Sequence, residues 1–368
     1  MKAIILVGGE GTRLQPLTKT TAKPMVPVLN KPFLEYVIRH LKNHDINEVV
    51  LTLCYKPHQI EEYFGNGSKF NTRLSYIIED FPLGTAGAVK NAQQHITESF
   101  FVLNGDIFTD FDLSDMLNFH RQKKAKVTIA LTPVDDPILY GVVECDSRSR
   151  IRSFVEKPPR NKVTTNMINA GIYILEPDIL GYIPGNSFSM LEHNLFPKLV
   201  AEDIPLFGYP SCDYWIDMGT PEKYRKLNYD LLLGKSKQIK EYRCGNEIHA
   251  EEETFIHNTA CLKGPVLVGK GCVINKEVSL TGPVILGAGC RIGDGSVITK
   301  AILWKNVNVG CKVILSNCII GNDSRLQDHS RVEDDSVLGT GALIDKGVTV
   351  PAGSHIMPGI KVELKLIP

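Results

Sequence analysis

The densest cluster of chemistry-bearing residues lies in residues 2–27, KAIILVGGEGTRLQPLTKTTAKPMVP. Residues 3–7 are an unbroken apolar run halted by Gly8 and Gly9, the pattern of a buried strand ending in a tight turn. Gly8, Gly9 and Gly11 fall within four positions, followed by Thr12 and Arg13. Without a Cβ, main-chain N–H groups can approach a phosphate closely. Arg13 adds a planar fork of donors suited to phosphate oxygens, and Lys23, before Pro24, adds a second, compact cation. A bare backbone flanked by two cations is a cradle for polyphosphate. Two rival glycine motifs are excluded: GxGxxG fails because Leu14 stands where the last glycine belongs, and GxxxxGK[ST] is absent from this stretch.

Two further strings carry carboxylates in suggestive places. Residues 100–103 run into Asn104-Gly105-Asp106, which puts an acid just past the carboxyl end of a strand, where open α/β sheets bind ligands. The string DYWIDMGT, residues 213–220, sets Asp217 shortly before a helix start. Mg²⁺ takes hard oxygen ligands, commonly one or two carboxylates plus substrate phosphate, so Asp106 and Asp217 would serve if the fold joined them. Either aspartate taken alone reads better as a turn or cap residue.

Taken as a whole, the N-terminal string resembles the signature of the sugar-nucleotide pyrophosphorylases, GGxGTRLxPLT followed by KP, and the string PLGTAGA, residues 82–88, resembles the mannose-1-phosphate guanylyltransferase branch more than other branches. The resemblance covers nearly the whole chain. It implies transfer of a nucleotidyl group from an NTP to a sugar 1-phosphate with release of pyrophosphate, Asp106 and Asp217 holding Mg²⁺. Arg13, Lys23 and Lys157 are the implied catalytic cations. Leu6, Gly8, Gly9, Gly11, Thr12, Arg13, Glu79, Pro82, Gly84 and Thr85 are the implied nucleotide contacts. The string FVEKP, residues 154–158, is similar to the family's EKP motif: Glu156 can accept from sugar hydroxyls while Lys157 meets the phosphate. Asn169-Ala170-Gly171 and Tyr140-Gly141 resemble the remaining sugar elements, with Asn169 on the sugar and the Gly141 backbone lining its pocket.

The base-reading stretch is EDFPLGTAGA, residues 79–88, whose glycines at 84 and 87 let a flat base approach and whose Thr85 opens a helix. A carboxylate only accepts hydrogen bonds. Guanine presents N1–H and N2–H₂ side by side, whereas uracil and thymine flank one donor with two acceptors. If Glu79 points at the base, GTP is favoured and GDP-mannose is the expected product. As a surface residue at a strand end it would carry no such information. Alternatives are uridylyl or thymidylyl transfer to glucose 1-phosphate, and a non-catalytic subunit like the pyrophosphorylase-shaped subunits of a translation initiation exchange factor. A coil that also acetylates amino sugars would need a histidine base, for which His257, His329 and His355 are the candidates.

These residues need elements to hold them. Over residues 1–233 strand-like runs (49–54, 74–78, 100–103, 127–131, 172–175) alternate with amphipathic segments (33–43, 85–95, 114–123, 221–233). That is the pattern of a Rossmann-like α/β domain with a mixed, mostly parallel sheet. Thr220 and Pro221 mark an N-cap and first helical position. Residues 234–250 read as a linker. Beyond it Ile, Leu or Val recurs every sixth residue from Ile256 to Ile298, slips by one to Leu303, Val309 and Leu315, and slips again to run from Ile320 to Val350. Six is the hexapeptide period of a parallel β-helix, left-handed in the resembled family, and predicts that architecture for 251–368. Cys261, Cys272, Cys290, Cys311 and Cys318 are expected in small interior or near-interior positions.

Composition narrows the rest. The chain has 368 residues, room for two domains, and 41 basic against 41 acidic side chains, which gives no bulk charge for nucleic acid or an anionic membrane. No apolar run approaches the roughly twenty residues that span a bilayer, and the N-terminus has no signal-peptide pattern. Nine scattered cysteines without metal-ligand spacing fit free thiols in the cytoplasm. Homo-oligomerisation through the coil is the expected assembly, since exposed coil ends need covering.

Overall fold

The structure, a computed structural model, describes residues 1–239, 241 and 247–363. The predicted linker therefore lies partly outside the described residues (240 and 242–246), as do positions 364–368 of the predicted coil. The chain forms two compact units, residues 1–10 with 34–217, and residues 11–33 with 218–368. The reading from sequence cut the chain at 233, in chain order. Compactness instead groups the N-terminal segment 11–33 with the C-terminal residues, a long-range association that chain order does not reveal.

The first unit is built on a nine-stranded sheet. Its strands are β1 (Lys2–Leu6), β2 (Glu48–Leu53), β3 (Arg73–Ile78), β4 (Phe100–Asn104), β6 (Val127–Pro133), β7 (Gly141–Cys145), β8 (Ile151–Glu156), β9 (Met167–Leu175) and β10 (Leu206–Pro210); β5 (Ile107–Thr109) and β11 (Trp215–Asp217) form a separate two-stranded ribbon. The sheet order is β8-β7-β9-β4-β1-β2-β3, with β6 beside β9 and β10 beside β6. Pairs β4-β1, β1-β2, β2-β3 and β10-β6 are parallel, and the pairs that involve β7 to β9 are otherwise antiparallel, so the sheet is mixed. β1 is buried because Ala3, Ile4 and Ile5 have no polar side chain to satisfy.

Four helices flank these strands: α1 (Phe33–Asn43), α2 (Pro57–Phe64), α3 (Gly84–Asn91) and α4 (Leu113–Lys123), the last capped by Asp112, whose carboxylate accepts from the Ser114 and Asp115 amides. A short α5 (Phe196–Ala201) follows one turn of π-helix, Leu191–Leu195. The expected helix over 85–95 ends early, at Asn91, and a 3-10 turn (Gln93–His95) takes over. It also starts one residue early: Leu83 is the cap and Gly84, with φ +74°, the first helical residue, so Thr85 does not open the helix.

In the second unit, α6 (Pro221–Leu232) is capped by the Thr220 hydroxyl, which accepts from the Lys223 amide. From Ile248 onward short strands stack in three parallel sheets of seven, seven and six. Partners on successive rungs lie eighteen residues apart, as in Val266↔Val284, and seventeen apart where the hexad slips, as in Ile285↔Ile302. Each slip is a coil with one residue deleted from a turn. Of the periodic residues, those from Val268 to Val350 are at most 2% exposed, while Ile256 and Leu262 on the first rungs are half-buried. A second interior position lies two residues before each, filled by small side chains: Cys272, Val278, Val284, Cys290, Ser296, Ala301, Cys318, Ser324 and Ser336 among them. Cys272, Cys290 and Cys318 are therefore interior, and Cys311 is half-buried, whereas Cys261 is exposed because it falls off this inward register, correcting the expectation for that residue.

Candidate active site

In the first unit the chain steps from β1 outward through β2 to β3, then returns to place β4 on the other side of β1. The carboxyl ends of β1 and β4 thus form a topological switch point, where open α/β sheets bind ligands. Leu6 is in register with Asn104, and the two turns that leave this point carry Gly8-Gly9 and Gly105-Asp106. Their glycines differ in kind. A Cβ on Gly105 would sit 2.2 Å from Val7 Cγ1 and 2.7 Å from Leu6 O, so packing alone demands glycine there. A Cβ on Gly8 would meet Cys54 Cβ at 3.4 Å, ordinary contact; one on Gly9 would meet nothing within 4 Å.

The turn Gly105-Asp106 leads directly into β5, which pairs antiparallel with β11 so that Asp217 stands opposite Ile107. Two aspartates 111 positions apart in sequence thus come to neighbouring places on one ribbon. Asp217 is 8% exposed, and its Oδ1 accepts from the Tyr140 hydroxyl at 3.0 Å. The donor set is a pair of carboxylates, and among the described residues no group of three or more His, Cys, Asp or Glu could hold a metal. Hard carboxylate oxygens suit a divalent cation of the Mg²⁺ kind and do not suit a structural zinc.

Tyr140 also links these acids to the EKP strand. Its carbonyl accepts from the Lys157 amide at 3.0 Å, and the next residue, Gly141, is in register with Glu156. A Cβ at Gly141 would lie 2.7 Å from Glu156 Oε2 and 2.8 Å from Phe154 Cζ, so the glycine is what lets the carboxylate lie across the strand. Lys157 is exposed, at φ +47°, and its Nζ is 3.6 Å from Glu156 Oε1. Burial raises the Glu156 pKa, the Glu192 charge raises it further, and Lys157 pulls it back. On β9, Asn169 Oδ1 accepts from the Gly171 amide (2.9 Å) and Nδ2 donates to the Tyr173 hydroxyl (2.9 Å). Trp215 Nε1 donates to Ala170 O at 2.9 Å, tying the ribbon to the same strand. Asp106, Asp217, Gly141, Glu156, Lys157 and Asn169 are thereby connected through a continuous set of pairings.

The base-reading stretch forms a second cluster. Glu79 directly follows β3, is 7% exposed, and accepts from the Leu83 amide on Oε2 at 3.2 Å; its Oε1 is buried without a hydrogen-bond partner. Burial raises its pKa, and the Leu83 amide partly offsets that. Asp80, Phe81 and Pro82 are exposed, and a Cβ on Gly84 would lie 2.5 Å from Ser189 O. Thr85 does not present its hydroxyl outward: Oγ1 donates to Glu192 Oε2 (2.7 Å) and accepts from the Leu191 amide (2.8 Å). Any nucleotide contact from Thr85 falls to its backbone. Glu192 also accepts from Tyr173 (3.4 Å), so Thr85, Glu192, Tyr173 and Asn169 form one hydrogen-bonded chain between the two clusters, buried at Tyr173 and Glu192. Tyr140 and Trp215 stood inside strings singled out by sequence, yet only as spacers. Tyr173 and Glu192 carried no local signal.

In the second unit the segment 11–33 makes short 3-10 turns at Thr12–Leu14 and Lys23–Met25. Gly11 (φ +72°) opens the first, and a Cβ there would lie 3.2 Å from Lys23 Cβ and 3.0 Å from Thr18 Cγ2. The Gly11 carbonyl accepts from the Thr18 hydroxyl at 2.7 Å and from the Leu14 amide. This turn therefore packs Lys23 against the stretch that bears Thr12 and Arg13, whose side chains are exposed.

The Nucleotidyl transferase family model matches residues 2–233. The chain belongs to that family. A second model, the EIF2B subunit epsilon LbH domain, matches residues 245–350, over the stacked coil, which is a left-handed β-helix. This nucleotidyltransferase is 34% identical over 320 residues to mannose-1-phosphate guanylyltransferase of Mycobacterium tuberculosis, covering 84% of this chain and 82% of that one. It is 35% identical to the mannose-1-phosphate guanylyltransferase catalytic subunit beta of Danio rerio (97% and 96%), and 32% identical to UTP–glucose-1-phosphate uridylyltransferase of Synechocystis (94% and 90%). Among solved structures, HddC from Yersinia pseudotuberculosis superposes with a TM-score of 0.55 at 32% identity, covering 62% of this chain and 99% of that one. No helix among the described residues is long and apolar enough to cross a membrane.

Proposed function

We propose that this nucleotidyltransferase transfers the guanylyl group of GTP to mannose 1-phosphate, forming GDP-mannose and pyrophosphate. The observation that carries the choice of base is Glu79 Oε1, a buried carboxylate oxygen with no partner inside the protein. An unpaired buried acceptor is costly unless a ligand donor meets it. Guanine brings adjacent donors, while uracil and thymine would bring carbonyl oxygens toward a negative charge. The names of the relatives from Mycobacterium tuberculosis and Danio rerio support the same substrates; the Synechocystis relative supports uridylyl transfer to glucose 1-phosphate as the second reading.

In this mechanism the sugar phosphate oxygen attacks the α-phosphorus in line, with no covalent enzyme nucleophile, because the attacking group is already an anion. Catalysis is positioning and charge stabilisation. Gly8, Gly9, Gly11 and Thr12 cradle the phosphates, Arg13 holds the leaving pyrophosphate and Lys23 the charge that develops at the α-phosphate. Leu6, Pro82, Gly84 and the backbone of Thr85 border the nucleoside. Lys157 orients the incoming phosphate while Glu156, Asn169 and the Gly141 backbone hold the sugar. Asp106 and Asp217 would hold Mg²⁺, which when bound neutralises charge on phosphate oxygens. Residues 1–233 carry the chemistry, with the coil of 251–368 assembling the enzyme as a cytoplasmic homo-oligomer.

The test is pyrophosphate release with GTP, UTP and dTTP, each against mannose, glucose and N-acetylglucosamine 1-phosphates. GTP with mannose 1-phosphate should give the highest kcat/KM, and Glu79→Gln should lower it selectively for GTP. Preference for UTP and glucose 1-phosphate would install the second reading. Absence of turnover with every pair would return the chain to the class of non-catalytic subunits, which the exchange-factor name of the coil model keeps in view.

A further inference from the structure

Within the second unit the segment 11–33 is fastened to α6 and the coil by buried polar contacts. The Tyr224 hydroxyl, fully buried, donates to Pro27 O at 2.7 Å and accepts from Trp304 Nε1 at 2.9 Å. Trp304 lies on the coil, 2% exposed, its ring edge-on to Tyr224. Asn228, one helical turn further along α6 and also fully buried, accepts from the Leu29 amide on Oδ1 at 2.9 Å and returns Nδ2 to Tyr224 O at 2.9 Å. Asn30 Nδ2 donates to Leu286 O of the coil at 2.9 Å, and the Thr20 and Thr340 hydroxyls are 2.9 Å apart.

These contacts hold a backbone that local preference disfavours. Leu29 (φ +44°) and Asn30 (φ +65°) both lie in the left-handed region, forming the turn of a small hairpin between Pro27–Val28 and Lys31–Pro32. Asparagine tolerates that region; leucine does so only when its surroundings enforce it. Asn228 on the Leu29 amide and Leu286 on the Asn30 side chain are that enforcement. The hairpin follows Lys23 directly: Val26 N bonds to Lys23 O, and Phe33 N to Val26 O. Its register therefore sets where the Lys23 turn lies.

We propose that Tyr224, Asn228 and Trp304 are positioning residues for the phosphate-binding segment, so that the coil acts as the rigid backing of the loop that carries Arg13 and Lys23. The idea rests on the reading that those cations meet the nucleotide phosphates. It assigns the C-terminal repeat a part in the reaction itself, apart from any assembly it supports.

The test uses the full chain. Tyr224→Phe keeps the ring and deletes the hydroxyl that joins Pro27 to Trp304; Thr340→Ala, at a half-buried place on the coil, loosens the same segment without touching the interior. Amide exchange over residues 24–33 and steady-state kinetics with each substrate varied are read together. Tyr224→Phe should speed exchange of the Leu29 amide about five-fold, the order expected for one lost hydrogen bond, and raise the KM for NTP by a similar factor. The KM for sugar 1-phosphate should stay within about two-fold, a split that general destabilisation would not produce. Thr340→Ala should move the same parameters in the same direction, less far. Faster exchange with an unchanged NTP KM, or equal losses for both substrates, overturns the proposal while leaving the proposed reaction standing. A wild-type chain without turnover on any NTP removes the reaction and this inference together.

Discussion

Gly9→Ala separates a glycine kept for a ligand from one kept for the fold. A methyl group at Gly9 enters open space, and the backbone there is outside the left-handed region, so the folded chain accepts alanine without strain. By restricting the unfolded chain, the change should raise stability by about 0.5 kcal/mol. If main-chain N–H groups at this turn reach phosphate oxygens at about 2.9 Å, the methyl intervenes and displaces a charge-assisted hydrogen bond worth about 1.5–3 kcal/mol. That corresponds to a fall in kcat/KM of about ten- to a hundred-fold. Gly105→Ala is the contrasting case, with its Cβ 2.2 Å from Val7 Cγ1; overpacking should cost about 1–3 kcal/mol and turnover should fall along with stability. Urea unfolding and pyrophosphate release on both variants give the four numbers needed. Full activity in Gly9→Ala would refute the phosphate cradle. A loss of stability in that variant would refute the packing argument.

Three further outcomes follow. Asp106→Asn should reduce turnover by at least about a hundred-fold while urea unfolding stays within about 0.5 kcal/mol of wild type; retained pyrophosphate release would remove Asp106 from the site. His40, 5% exposed, has its pKa lowered to about 4, first by burial and then by the neighbouring His44, against the raising influence of the Phe111 backbone and Asp112. Between that value and about 6.5 the unfolded chain binds a proton that the folded chain refuses, so this stability is full above pH 6.5 and falls as pH drops toward 4, by about 3 kcal/mol. In a pH series of urea melts His40→Leu should flatten that slope, and an unchanged slope would count against His40 as its source. Ser330 is 1% exposed with its Oγ unpartnered, at an interior coil position where equivalent places hold Val, Cys or Ala, or a serine whose hydroxyl is hydrogen-bonded (Ser296, Ser324, Ser336). Ser330→Ala should therefore stabilise the coil by about 1 kcal/mol in urea, and a destabilised variant would imply that the hydroxyl has a partner.

The stacked coil was legible in sequence because one inward side chain per hexad is a purely periodic demand, and even its two one-residue slips show as 17-residue rungs. Helix α1 was legible residue for residue because its apolar stripe and its boundaries are local signals. The candidate site residues could be named from strings, but their company could not. The small interior residues two places before each hexad residue, and hence which cysteines are inside, needed the stacked rungs to define inward and outward. Asp106 and Asp217 gained their neighbouring places from an antiparallel ribbon, and Glu192 and Tyr173 entered through hydrogen bonds that span 107 and 19 residues. The left-handed turn at Leu29 is the clearest case: Asn30 tolerates that region but nothing local favours it for Leu29, and it persists because Asn228 and Leu286, 199 and 256 positions beyond the residues they bond, supply its partners. Chemistry that depends on residue type is written along the chain. Chemistry that depends on who stands beside whom is decided by tertiary packing, because a contact between distant residues leaves no periodicity and no spacing to read.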